Sequence, residues 1–339
     1  RIYLLIDEYD NFTNTILSTY GTEFYRKATH GEGFIRGFFN VIKSATTGTG
    51  AALERLFITG VSPVTMDDVT SGFNIGTNIT NDSWFNDLVG FSENELREML
   101  EYYKEQGVLQ ESIDEIVAMM KPNYDNYCFS EDTLEQCMFN SDMALYFLKS
   151  FVLHHKKPKE IVDPNIRTDF NKLAYLIKLD HGLGENFSVI KEIAEQGEII
   201  TDIVTHFSAL EMTDPSNFKS LLFYFGLLSI KGVDMVGRPI LHVPNLVVRE
   251  QLFNFLIQGY IKHDIFKIDM NKMSALFENM AFRGDWKPLF DFIANAVREQ
   301  SRIREYIEGE AHIKGFLLAY LGMYRYYQLY PEYELNKGF

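Results

Sequence analysis

The residues best equipped for chemistry lie at the start of the chain. In "RIYLLIDEYDNF" an apolar run, Ile2 to Ile6, meets Asp7, Glu8 and Asp10 within four positions. A run without polar alternation is the pattern of a parallel strand buried on both faces. In open α/β sheets the ligand crevice lies outside the carboxyl ends of the strands, so acids placed there read as working groups. The plainer alternative is a strand leaving for water, its end marked by acids. The chemistry that suits an Asp-Glu pair at a strand end is Mg²⁺-dependent handling of a nucleoside triphosphate. One carboxylate serves the ion and a second group orients the attacking water. Asp7 is the metal candidate, acting through the ion's water shell, and Glu8 is the candidate to act on the water.

Positioning such a pair requires a neighbouring strand. "RLFITGVSP" supplies one, with Leu56, Phe57 and Ile58 closed by Thr59-Gly60 and stopped by Pro63. Between the two strands, Phe34, Ile35, Phe38, Phe39 and Ile42 are spaced for one helical face, followed by the turn-like "TTGTG". Strand, helix, strand is a βαβ unit. Its right-handed crossover makes the strands parallel and brings Asp7–Asp10 and Thr59 to one sheet edge. Thr59, with Ser62 as the alternative, is then placed to hydrogen-bond the water or the γ-phosphate. The Asn-, Thr-, Asp- and Gly-rich "DDVTSGFNIGTNITND" reads as a long loop above that edge.

The sequence contains no GxxxxGK[ST] phosphate loop. "GEGFIRG" from Gly31 follows a turn rather than a strand and reads as helix punctuation. Either the phosphate loop stands upstream of Arg1 or this is not a nucleotide site. An opening Arg with neither Met nor leader favours a piece of a longer protein.

Helices dominate from Phe91. "FSENELREMLEYYKEQG" has a capping box, Ser92 and Glu95, an apolar face of Leu96, Met99, Leu100 and Tyr103, and Gly107 as its stop. Further helical patterns are "DMALYFLKSFVLHH", "FNKLAYLIKL", "PSNFKSLLFYFGLLS" and "NLVVREQLFNFLIQGYI". "LLSIKG" and "RPILHVPN" form a hairpin turning at Val233–Gly237. A last helix spans 301–330, with Ile313, Phe316, Leu317, Tyr320, Leu321 and Tyr324 facing the core.

With 339 residues, 46% of them apolar, the chain suits two or three domains. Its longest apolar stretch is too short to span a membrane. A formal charge of −15 argues against a whole-surface grip on nucleic acid. The densest basic run, "HHKKPK" from His154, reads as a solvated helix end, and its two His lack metal-site partners. Cys128 and Cys137 make neither a disulfide framework nor a zinc spacing, which favours a reducing cytoplasm. Trp84 and Trp286 are expected to pack locally. Arg36 and Arg55 are candidates to approach a γ-phosphate, in cis or from a neighbouring subunit, as is any arginine near the sheet edge.

The sequence resembles the bacterial AAA-ATPase-like proteins that carry a C-terminal PD-(D/E)XK nuclease domain. "LLIDEYD" resembles their Walker B, "LFITGVSP" their sensor strand and "VGFSENELREML" their lid helix. "LLFYFGLLSIKG" with "ILHVPNLVVREQL" resembles the middle region. "EAHIKGFLLAYL" with "YPEYELNKGF" resembles the start of the nuclease, where Glu310 matches the first-helix glutamate and Glu332 and Glu334 fall in the strand region without an assigned role.

The resemblance implies an α/β plus mostly α chain, organised as a partial P-loop NTPase parallel sheet over 1–90 and a helical lid over 91–150. A mostly helical middle region over 151–300, with one hairpin near 228–244, would follow, then the first nuclease elements over 301–339. It implies ATP and Mg²⁺ as cofactors, DNA as a partner through the nuclease, and nucleic-acid processing tied to mobile elements or defence. With both sites incomplete, the chain alone is expected to be inactive. The rival from another class is a non-enzymatic, nucleotide-gated switch or scaffold, with a homo-oligomer or another protein as its partner. A third reading is a cofactor-free helical adaptor.

Overall fold

The computed structural model describes residues 2–48, 50–61, 68–69, 75–163, 185–262, 268–299, 310–322, 324 and 326–327. Within them the chain is mixed α/β and mostly helical. In order it forms β1 (Ile2–Ile6), α1 (Asn11–Thr29), α2 (Phe34–Ala45), β2 (Leu53–Ile58), α3 (Glu93–Glu105), α4 (Ile113–Tyr124), α5 (Ser141–His154), α6 (Glu185–Gln196) and β3 (Glu198–Ile200). There follow α7 (Pro215–Tyr224), β4 (Ser229–Val233), β5 (Pro239–His242), α8 (Leu246–Lys262), α9 (Met270–Arg283), α10 (Lys287–Glu299) and α11 (Glu310–Gly322). The chain divides into two compact units, one of residues 1–179 with 200–244 and one of 180–199 with 245–339.

In the first unit β1 and β2 pair in parallel, with Ile6 opposite Ile58. Two helices, not one, make the crossover. Gly21 breaks α1 with a φ of 78°, a left-handed conformation that glycine takes without strain. Tyr9, Ala28, Ile35, Phe39, Ile42 and Leu53 form the core, and Leu4, Ile6, Phe12 and Ile16 pack against it.

The expectation that β1 is buried on both faces does not hold among the described residues. Tyr3 and Leu5 are 65% and 76% exposed, because helices from both halves of the crossover join the core on the Leu4/Ile6 side. The apolar face of α2 is likewise narrower than its spacing suggests. Ile35, Phe39 and Ile42 are buried, whereas Phe34 and Phe38 lie to one side of that stripe and are exposed. Gly33, within "GEGFIRG", is the N-cap of α2, where a Cβ would fall 2.2 Å from the Ala28 carbonyl oxygen.

A buried carboxylate fastens distant parts of this unit. Asp68 accepts from the Tyr25 hydroxyl (2.6 Å), the Ser208 hydroxyl (2.6 Å) and the Ala209 N–H (2.8 Å). Burial, reinforced by the Asp68 charge, raises the Tyr25 phenol, so it stays protonated and donates. Asp68 and the fully buried Val69 therefore anchor the head of the expected loop, and no regular element forms over 75–82.

The capping box of α3 is present. Ser92 Oγ accepts the Glu95 N–H at 3.2 Å and Glu95 Oε2 accepts the Ser92 N–H at 2.8 Å. Leu96 and Leu100 are buried, and Gly107, with a φ of 71°, follows the last turn. Glu93 joins α3 to α4 through Lys121 (2.8 Å) and also pairs with Arg97 (2.9 Å). At the end of α5, His155 takes a left-handed conformation, and within "HHKKPK" His154 to Lys157 and Lys159 are exposed while Pro158 is buried. The β4–β5 hairpin closes over Asp234–Gly237, where Asp234 accepts backbone N–H groups from Val236 (2.9 Å) and Arg238 (2.8 Å).

Trp84 does not pack locally. It is 87% exposed in a single 3-10 turn too short to cover an indole. Trp286 does meet the Phe290 ring, edge to face at 6.0 Å.

In the second unit Phe187 of α6 meets Tyr260 of α8 edge to face and Tyr260 meets Phe316 of α11 at a tilt, with ring centroids 5.5 and 4.6 Å apart. Phe316 and Tyr320 are buried as expected. Ile313, three residues before Phe316, is 41% exposed and does not join the core face. "FNKLAYLIKL" lies outside the described residues, as do 301–309 and 328–339.

Candidate functional site

The site is a product of strand register. Because Ile6 pairs with Ile58, Asp7 and Thr59 are each the first residue beyond the parallel ladder, and the backbone keeps them level. Thr59 N–H donates to the Ile6 carbonyl at 2.8 Å and Tyr9 N–H donates to the Thr59 carbonyl at 3.0 Å. The Thr59 hydroxyl donates to Asp7 Oδ1. The same oxygen accepts the Glu8 N–H at 2.9 Å. Both bonds fall on Oδ1, and among the described residues none is made to Oδ2.

The three acids divide by environment. Asp7 and Glu8 are exposed, while Asp10 is 1% exposed and accepts the Val61 N–H at 3.0 Å. Asp10 thus pins the loop leaving β2 and is structural. Close approach there demands glycine, since a Cβ on Gly60 would lie 2.3 Å from the Tyr9 ring and 2.7 Å from Asp10 Oδ1.

Glu8 adopts a φ of 49°, a left-handed conformation that costs a non-glycine residue about 1–2 kcal/mol. Its carboxylate accepts from the Asn11 side-chain amide at 2.9 Å. Asn11 was missed by reading acids and strand ends alone. Its signal was available in the i, i+3 spacing from Glu8 at the mouth of a helix.

Ser62 lies outside the described residues. Glu310 is the first residue of α11, but its side chain is outside them. Arg55 is exposed and sits opposite Tyr3, mid-strand and away from the Asp7 end. Arg36 is half-buried in α2. Among the described residues no group of three His, Cys, Asp or Glu is arranged to hold a metal by itself. Mg²⁺ does not need one, because it keeps several waters and takes one or two carboxylates plus substrate phosphates. An exposed Asp7 with bonds to one oxygen only fits that requirement.

Residues 1–70 match the family described as a predicted AAA-ATPase (AAA-ATPase_like). The chain is similar to that family over its opening βαβ unit, including Asp7, Glu8 and Thr59. No curated protein and no solved structure matches the chain. Among the described residues no helix is long and apolar enough to cross a membrane.

Proposed function

We propose that the Asp7–Glu8–Thr59 edge is the metal and water-handling side of an ATP site in an AAA-ATPase-like protein. The observation that supports this reading most is the meeting of Asp7 and Thr59 at the tips of adjacent parallel strands, within the residues similar to a predicted AAA-ATPase. Asp7 would hold Mg²⁺ through its water shell, and the ion would neutralise phosphate charge. Glu8 takes the proton from the attacking water, and Thr59 fixes Asp7 while its hydroxyl oxygen remains able to accept from that water. Ser62 would be the alternative to Thr59 for the hydrogen bond to the water or the γ-phosphate.

The finer reading couples this ATPase to a nuclease that begins near Glu310 and acts on DNA, with 91–150 as lid and 151–300 as the connecting region. It rests on the order of resembling blocks along the sequence.

One observation favours a second reading, a nucleotide-gated switch or scaffold without turnover. Glu8 is held by Asn11 in a strained conformation rather than left free for a water. The excess of acids also suits a protein partner, whether another copy or a different chain, better than direct DNA contact.

The test is Mg²⁺-dependent ATP hydrolysis by the full-length protein, with Glu8→Gln as control. Removing a general base is expected to lower kcat about 100-fold or more while nucleotide binding persists. Hydrolysis untouched by the substitution would remove Glu8 from the mechanism. Tight binding with no turnover in the unsubstituted protein would favour the switch.

A further inference from the structure

Cys128 and Cys137 are nine positions apart in sequence and side by side in the fold. Tyr127 and Met138 form an antiparallel bridge, exchanging N–H bonds of 3.1 and 2.8 Å. One step further along each chain puts Cys128 opposite Cys137, at the non-hydrogen-bonded position where facing side chains approach most closely. The Cα separation typical of such pairs, about 4.5 Å, lies within the range a disulfide spans. Both sulfurs point into the same short loop. Cys128 Sγ contacts the Ser130 carbonyl at 3.1 Å and the Thr133 carbonyl at 3.6 Å, and Cys137 Sγ contacts the Leu134 carbonyl at 3.5 Å.

Both cysteines are free thiols. We propose that they form a redox modification site, a cross-strand dithiol that a low-molecular-weight disulfide converts to an internal disulfide. Access sets the order of events. Cys128 is fully buried, whereas Cys137 is half-buried and reachable. The Cys137 thiolate attacks one sulfur of glutathione disulfide; the glutathione S–S bond breaks, and the departing thiolate takes up the proton that Cys137 released. Cys128 then attacks the Cys137 sulfur of the mixed disulfide, forming the protein S–S bond and releasing the second glutathione. Two protein thiols are oxidised and one small disulfide is reduced to two thiols.

The neighbouring Cys128 thiol and burial raise the Cys137 thiol, so the first attack is the slow step. The resolving step is intramolecular, from Cys128 directly across the bridge, and needs no second encounter. The bond would close the loop over 129–136. That loop grips the buried Asn86, whose amide donates to the Gln136 carbonyl (2.9 Å) and accepts the Phe129 N–H (3.0 Å).

The experiment is native incubation of the full chain in glutathione buffers of increasing disulfide fraction, followed by acid quench, alkylation and intact-mass and peptide mapping. The expected result is loss of two hydrogens, mapped to a linked Cys128–Cys137 peptide pair, with no lasting glutathione adduct and full reversal by excess reduced glutathione. In Cys128→Ser a stable glutathione adduct on Cys137 should replace the internal bond. Two alkylatable thiols in the most oxidising buffer, or a lasting adduct on Cys137 of the unsubstituted chain, would overturn the proposal. An adduct on Cys128 of folded Cys137→Ser would overturn the assigned order of attack. Mass readout of the unsubstituted chain needs no variant to fold.

Discussion

Thr59 donates its hydroxyl to Asp7 across 52 positions of sequence, and the bond exists because the two residues end paired parallel strands at the same level. Replacing Thr59 by Val removes the donor but keeps both backbone bonds that level the strands. The thermal midpoint should therefore change little, by the equivalent of about 1 kcal/mol. Under the ATPase reading, Mg²⁺-dependent turnover should fall about tenfold and be restored by Thr59→Ser. Steady-state hydrolysis and thermal melting, measured on the same preparations, check both halves.

Asn11 holds the Glu8 carboxylate, so Asn11→Ala should free it. An exposed bond worth about 1 kcal/mol corresponds to a rise in basal turnover of about fivefold. A fall in turnover would instead assign Asn11 to orienting Glu8 productively, and Asn11→Asp, which sets two carboxylates against each other, separates release from orientation.

Gly60→Ala should destabilise the first unit by about 1–3 kcal/mol, because a methyl group there meets the Tyr9 ring and the buried Asp10 carboxylate. Gly232→Ala, where nothing lies within 4 Å, is the comparison expected to be near neutral to crowding. Urea unfolding midpoints of the two variants decide it.

The Lys121 ammonium and then the Arg97 guanidinium hold Glu93 below its ordinary value of 4.5. A carboxylate lowered in the folded state adds stability that is present above its unfolded pKa and is lost as pH falls through the folded one. Glu93→Gln should thus be less stable than the unsubstituted chain at neutral pH, by no more than about 1 kcal/mol for so exposed a pair. The two should converge as pH falls below 4.5 and through the lowered folded value. Denaturant titrations across that interval give the curve.

Local signals in the sequence located what local chemistry decides. The strand run ending at Asp7, the Ser92/Glu95 box and the Asp234–Gly237 turn all appear where residue types place them, since each is settled within a few positions. Helix α1 could be read from the spacing of Phe12, Ile16, Tyr20, Phe24 and Ala28, but its break at Gly21 could not. The exposure of Tyr3 and Leu5 escaped because an apolar run does not say on which side helices will settle. At the candidate site the Asp7–Thr59 meeting follows from crossover handedness and was legible. The burial of Asp10, the Asn11 contact and the nearness of Cys128 to Cys137 depend on backbone paths that no spacing rule encodes.

Asp68 finds two of its donors 140 and 141 residues further along the chain, at Ser208 and Ala209. During synthesis the opening strands and helices must therefore wait, their anchor unmet, while the ribosome makes a long intervening stretch. At about 5–20 residues per second that interval lasts on the order of ten seconds. Nascent chains stalled short of Ser208 would leave Asp68 with the Tyr25 hydroxyl but without its other two donors, a state open to protease or chaperone capture before the unit can close.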